Sequence, residues 1–426
     1  MKGFRAALAL TGVTVFLAVA GVGAAKAPAR APLLGFVPKG SESSLLTRLN
    51  PLTLVPRRGR TMRLDGVISA WSLSPDASKL AVASGGEAQS ELRVVDTTRM
   101  RSLGRVVLTG QVQVTTIFWA DAERLFAVVT HLTRRPDGNF DRQPASLVAI
   151  DPATRQVVEE QSLDGYVQGS AHAQGVLALI LGAESGIGPA RLAVVGADGR
   201  VTTIQLDGVT AGFEPVDESN PAAVSHYREP GLVLTPDGTR AYVASPGQLA
   251  AIDLRTLAVS YHRLGSARRL QKGAVEGSSR SVQWVRDGVL LVTGHDDKPS
   301  AGSDGTPRVE IHPTTAELVD TRDWSVRALD SSATYAAIGS DAIALMGPSW
   351  SDRLQKNVGS GVTFYGLDGV RRAHLFGTTE MYGLVVGRRA FVVRSGYSYA
   401  IVSTTSGRIM RTVRRLLPTP LLPQFQ

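Results

Sequence analysis

One unit of sequence keeps returning after residue 32, and it restricts the fold more than any other feature of this 426-residue chain. Its clearest copy runs from Gly231 to Ser245, where Val, Leu, Ala and Tyr alternate on either side of Pro236-Asp237-Gly238. Proline presets φ there and glycine tolerates a positive one, so the triplet reads as a tight turn between two strands. A second strand pair follows over residues 249–259, turning at Asp253-Leu254-Arg255-Thr256. The alternation has the period of half-buried strands, and no helical period of useful length intervenes.

The unit recurs at residues 72–83 with 92–103, at 117–129 with 146–158, and in degenerate form at 176–181 with 192–206. Further copies occupy 282–293 with 309–319, 335–346 with 362–375, and 382–393 with 399–413. A partial copy, 33–38, 45–54 and 59–64, lacks its first strand. Four short antiparallel strands at a spacing of roughly 40 to 60 residues are the pattern of β-propeller blades. The expectation is therefore an all-β chain with a single propeller domain over 33–426. Eight second-hairpin turns against seven complete first hairpins predict eight four-stranded blades, with seven as the alternative. The missing strand is expected from 416–422, closing the ring by pairing the N- and C-terminal strands. Pro418 and Pro420 argue against a regular central strand there, because each removes a ladder donor.

The copy at 234–259 resembles the YVTN-type propeller repeat, related to the β-chain-like repeats of quinoprotein amine dehydrogenases. It carries that family's Thr-Pro-Asp-Gly turn (Thr235 to Gly238), its Tyr242-Val243 strand and its Ile252-Asp253-x-x-Thr256 turn. The copies at 72 and 117 are similar, and the others are weaker. No Gly-His start or Trp-Asp ending of the WD40 kind occurs. The resemblance implies a fold and little about function, since such propellers serve as binding platforms, lactonases and quinoprotein subunits alike.

Composition removes several chemistries. With no Cys among 426 residues, thiol catalysis, iron–sulfur clusters, thiolate zinc sites and disulfides are excluded. The chain has no Gly-x-Ser-x-Gly elbow and no phosphate-cradling Gly-Lys-Ser/Thr. Lys2 and Arg5, the apolar run 6–20 and the small residues Gly21 to Ala25 form the three-part layout of a Sec signal peptide. Residues 1–24 are thus expected to be removed on export, with a retained membrane anchor as the alternative. Residues 25–32 read as a flexible tether. The mature chain is then expected to be extracellular, periplasmic or bound to the cell envelope.

In a propeller, the first and third hairpin turns of a blade point to one face, and the second turn and the interblade crossing point to the other. Five long segments, 130–146, 207–231, 265–281, 294–308 and 347–361, all belong to the second face. Long loops on a rigid scaffold are where binding usually sits. The candidate ligand-binding residues on them are His131, Arg134, Arg135, His226, Tyr227, Arg268, Arg269, Lys272, Trp350 and Arg353. Asp207, Glu214 and Glu229 beside these basic residues suggest a funnel with an acidic and a basic wall. His295, Asp296, Asp297 and Asp304 are a candidate metal set, with Ca²⁺ the cation that oxygen donors would suit.

The 46 Lys+Arg exceed the 37 Asp+Glu by nine, and the arginines concentrate at the two chain ends. Arg57, Arg58, Arg60 and Arg63 near the start, with Arg408, Arg411, Arg414 and Arg415 near the end, become one basic rim if the ring closes. Such a rim suits an acidic envelope polymer or an anionic lipid surface. With 6% aromatics there is little to stack bases, so nucleic acid is not expected. The reading is a monomeric, exported, non-catalytic platform for a protein, a polar small molecule or an envelope polymer, with no cofactor. The alternative is a metal-dependent, lactonase-like hydrolase or lyase.

Overall fold

The Thr235 to Gly238 turn folds as its residues dictate. Thr235 Oγ1 donates to Asp237 Oδ1 at 2.5 Å, the backbone N–H of Thr239 reaches the same oxygen at 3.1 Å, and Gly238 takes φ +67°. The equivalent Ser74–Asp76 contact, 2.6 Å, repeats it. In second turns the aspartate takes the leading position: Asp253 Oδ1 accepts from the N–H groups of Arg255 and Thr256, and Asp151 does the same for Ala153 and Thr154. These carboxylates replace water for turn N–H groups that the ladders leave unpaired.

The computed structural model describes residues 33–421, except 41–42, 86–89, 109, 137–139, 184–185, 215–225, 266–276, 302–306, 352–353, 355, 378 and 396. Residues 1–32, where a signal peptide and a tether are expected, lie outside the described residues. Among those described, every regular element is a strand, and no helix is long and apolar enough to cross a membrane.

The chain is a β-propeller of four-stranded antiparallel blades. Six blades are separate sheets: 67–107, 112–162, 231–263, 335–375 and 382–413 each form one, and the sixth joins the two chain ends. In that sheet Leu34–Pro38 pairs with both Ser43–Arg48 and the C-terminal Thr419–Leu421, with Leu34 opposite Leu421 and Gly35 opposite Pro420. Pro420 is tolerated because its strand lies at the sheet edge, where only one side of the ladder is used.

The expectation of eight, or seven, separate blades is corrected by the remaining strands. They form one ten-stranded sheet, containing the meanders 166–214 and 277–330 and joined through His226–Glu229. The cause is the length of Val201–Glu214, which overruns its own meander. Its Gly212 to Glu214 pairs with His226 to Arg228, and His226–Glu229 then pairs in parallel with Gly277–Arg286.

The core lies between neighbouring blades. Leu80 to Ala83 and Leu177 to Leu181 are all at 0% exposure, because middle strands are covered on both faces and read as continuous apolar runs. Outermost strands differ, and Gln156–Ser162 is exposed along its whole length. The first and last blades are fastened by Leu49, Leu54, Phe391, Tyr399 and Val413. Tyr399 Oη adds a hydrogen bond to the Thr53 carbonyl at 2.7 Å, and Arg389 one to the Leu52 carbonyl at 2.8 Å.

Candidate functional site

Where they are described, the long segments are largely strand rather than loop. Leu125–Arg134 continues past its blade and pairs outward with Phe140–Asp151, placing Phe140 opposite Arg134. Val289–Ala301 pairs with Pro307–Pro313, and Ala342–Ser351 with Lys356–Gly366. These three hairpins protrude from the blade ends, and their polar residues disguised them in the sequence as loops.

Among the described residues, the candidate ligand-binding side chains His131, Arg135 and His226 each have their own local partners. His131 Nε2 meets Glu160 Oε1 at 2.7 Å in a cleft of about 330 Å³, lined also by Val106, Val112, Arg155 and Val157 between two blades. Arg135 is ion-paired with Asp141 on the protruding hairpin, and Arg134 is exposed beside it. His226 Nδ1 stands 3.6 Å from Glu214 Oε2. Arg268, Arg269, Lys272 and Arg353 lie outside the described residues, and Trp350 is placed only as a backbone position in its strand.

Tyr227 does belong to a built cluster. Along the joined strands, Tyr227 sits opposite Gly277 and Glu229 opposite Ser279; Gly277 in turn faces Asp297, and Ser279 faces His295. Because successive side chains alternate, Tyr227, Glu229, Ser279, His295 and Asp297 share one face of the sheet. Arg228, Arg280 and Asp296 share the other. Gly277 makes room for the phenol: a Cβ there would lie 2.2 Å from the Tyr227 ring.

On the shared face, Tyr227 Oη donates to Asp297 Oδ2 at 2.6 Å and lies 3.3 Å from His295 Nε2. His295 Nε2 is 3.7 Å from Asp297 Oδ1. Asp297 is 9% exposed, and its Oδ1 is buried with no hydrogen-bond partner among the described residues. The Tyr335 ring meets the His295 ring edge-on, with centroids 6.3 Å apart.

The electrostatics of this face run one way. Burial, then the Asp297 charge, raises the Tyr227 phenol far above its usual range, so its hydroxyl is a fixed donor. Tyr335 is raised by burial and by the charges of Asp297, Glu380 and Glu229. Burial raises Glu229 too, against the Ser279 hydrogen bond that lowers it. His295 is pushed down by burial and is a neutral imidazole at neutral pH. The result is an electronegative, partly aromatic cluster on one face of the sheet, of a kind that favours a donor or a positive charge.

The candidate metal residues that are described are divided between the two faces of the sheet. Asp296 turns to the opposite face and pairs with Arg280 at 2.7 Å, with the Arg280 side chain 2% exposed and also donating to the His295 carbonyl at 2.7 Å. Alternation along the strand separates Asp296 from His295 and Asp297. Asp304 lies outside the described residues. Among those described, no group of three or more His, Asp or Glu stands ready to hold a metal ion, and the Ca²⁺ requirement of six to eight oxygens is not met by Asp297 and its neighbours.

The basic-rim arginines Arg57, Arg58, Arg60, Arg63, Arg408, Arg411, Arg414 and Arg415 are all exposed. Arg63 pairs with Asp65 at 2.8 Å, and Arg60 reaches the Arg99 carbonyl at 3.4 Å.

No protein-family profile matches this chain, and no curated protein matches it. Among solved structures it is similar to the dihydro-heme d1 dehydrogenase NirN in complex with DHE, at 14% identity and a TM-score of 0.55, covering 94% of this chain and 78% of that one. The computationally designed Ika8 protein is similar at 10% identity and a TM-score of 0.49, covering 83% and 89%. BamB from Moraxella catarrhalis is similar at 9% identity and a TM-score of 0.37, covering 89% and 87%. At such identities the likeness to NirN speaks for the propeller fold alone.

Proposed function

We propose that this protein is an exported, non-catalytic propeller that binds a polar ligand, alone or displayed on a partner protein, at the blade face where the protruding hairpins rise. The observation that carries the reading is the buried Asp297 carboxylate, held by Tyr227 through Oδ2 and lacking a hydrogen-bond partner at Oδ1 among the described residues. A buried acceptor of this kind is satisfied by an incoming donor, and the aromatic rings of Tyr227 and Tyr335 beside it favour one bearing positive charge. Export rests on the signal-peptide layout of residues 1–24, and a monomer on the ring leaving no open edge between the chain ends. The YVTN-like character of the repeat rests on Thr235 to Thr256.

The test is a thermal-shift screen of small amines, zwitterions and peptides against the parent protein and Asp297→Asn. A stabilising ligand whose effect disappears in Asp297→Asn supports the site. A ligand that stabilises both equally places binding elsewhere and overturns it. Export is read separately, by cell fractionation and N-terminal sequencing of the recovered protein.

A further inference from the structure

The two ends of the chain carry the protein's positive charge. Residues 381–426 contain seven arginines and no Asp or Glu, and residues 33–64 contain five arginines and Lys39 against Glu42 alone. The intervening residues 65–380 hold more carboxylates than basic side chains. Ring closure puts these two basic stretches in the same pair of touching blades, so the molecule is electrically lopsided.

The register locates the patch more closely. Arg389 is opposite Ser403, Val402 is opposite Ile409, and the Arg389 guanidinium donates to the Leu52 carbonyl. The turn ends of the first and last blades therefore lie side by side, with Leu52, Arg57 and Arg58 at one and Arg408, Ile409 and Met410 at the start of the outer strand of the other. Those three arginines form no ion pair among the described residues. The three apolar side chains are 54%, 43% and 53% exposed.

We propose that this sector is a docking surface for an anionic lipid bilayer. Unpaired guanidiniums bind lipid phosphates by charge-assisted hydrogen bonds, and polybasic surfaces collect on anionic leaflets. An acidic polymer would be served by arginines alone. The exposed Leu52, Ile409 and Met410 at the same turn ends match instead the boundary between headgroups and acyl chains, where apolar side chains gain from burial. The rest of the ring, residues 65–380, carries the excess of carboxylates and is repelled by the same surface, which orients the bound molecule.

The experiment is co-sedimentation of the full-length chain with vesicles of phosphatidylcholine containing phosphatidylglycerol. Residues 1–32 are common to all variants, so differences between variants report the rim. Arg57→Glu/Arg58→Glu/Arg408→Glu is expected to lower partitioning at low salt by at least about 50-fold. Arg200→Glu/Arg240→Glu/Arg255→Glu, an equal charge change on other blades, is expected to lower it several-fold less. Equal losses in the two variants would mean that net charge alone acts, and would overturn the proposal. Ile409→Ser/Met410→Ser is expected to remove the binding that survives at 0.5 M salt, a concentration at which the Debye length is only about 4 Å. If that variant binds vesicles as the parent does, or if the parent binds soluble polyglutamate as tightly as vesicles, the lipid assignment fails. Unchanged thermal melts show that each variant is folded.

Discussion

Tyr227 and Asp297 lie 70 residues apart, yet the phenol donates to the carboxylate at 2.6 Å because a short parallel strand carries Tyr227 onto the edge of another meander. The bond fixes one carboxylate oxygen and leaves the other in the buried interior. Tyr227→Phe removes the donor and keeps the ring. We expect it to cost about 1–3 kcal/mol, the penalty of stranding a buried charged acceptor, measured by urea denaturation against a Tyr335→Phe control. A Tyr227→Phe protein as stable as the parent would show that water serves Asp297 equally well.

Gly277 is coupled to the same ring by space. A Cβ at this position would meet Tyr227 atoms at 2.2, 2.5 and 2.8 Å, so the ring must leave or the strands must part. Gly277→Ala should cost about 1–3 kcal/mol, typical of overpacking. In the Tyr227→Ala background the same change should cost less than half as much. A double-mutant cycle by denaturation reads this coupling, and additive losses would sink the steric account.

The acid side of the stability profile should report a half-buried imidazole. His172 lies beside Phe118 with ring centroids 5.9 Å apart, and burial holds its pKa down to about 4. Its ordinary value is near 6.5, so between those limits the unfolded chain binds the proton and the folded chain does not. The contribution is complete above pH 6.5 and is lost as pH falls towards 4. His295, lowered by burial, acts in the same direction, whereas Glu229, raised by burial, opposes both. The turn aspartates Asp76 and Asp237 are held below their usual range and weaken the fold only at still lower pH. Unfolding free energies at pH 7.5 and 5.0 should therefore differ more in the parent than in His172→Leu, and identical differences would remove His172 from the account.

The strands and tight turns were legible because each depends on a few adjacent residues. Asp253 before Arg255 and Thr256 announces its turn in four letters, and the apolar run 177–181 announces a strand covered on both faces. The protruding hairpins were not legible: Asp296 to Ser300 has the composition of a loop, and only pairing with 308–312 makes it a strand. The merging of two meanders was hidden for a related reason, since nothing local to His226-Tyr227-Arg228-Glu229 names a partner 50 residues on. The candidate site depends on that pairing. Tyr227, His295 and Asp297 stood out by residue type, whereas Ser279, Gly277 and Tyr335 carried no signal until the register placed them. Strand alternation turns Asp296 away from His295 and Asp297, which the adjacency of Asp296 and Asp297 would have revealed had the segment been read as a strand.

Closure of the ring rests on a three-residue strand, and its removal should be felt far from the C-terminus. Thr419–Leu421 covers the edge of Leu34–Pro38, with Leu421 buried beside Leu34, Phe36 and Leu46. Ending the chain at Pro418 exposes that edge and a row of unpaired backbone groups, which invites strand addition from a second molecule. It also deletes the Leu421 side chain from the core, a loss of roughly 2–5 kcal/mol on the scale of buried large-to-small changes. The truncated chain is expected to melt at a lower temperature and to show concentration-dependent dimers by light scattering. Leu421→Ala separates the two effects. It keeps the backbone pairing, so it should lower the melt and remain at the oligomeric state of the parent. If the truncated chain shows no change in oligomeric state, the exposed edge is covered by another part of the chain, and closure by the C-terminal strand is not what keeps copies apart.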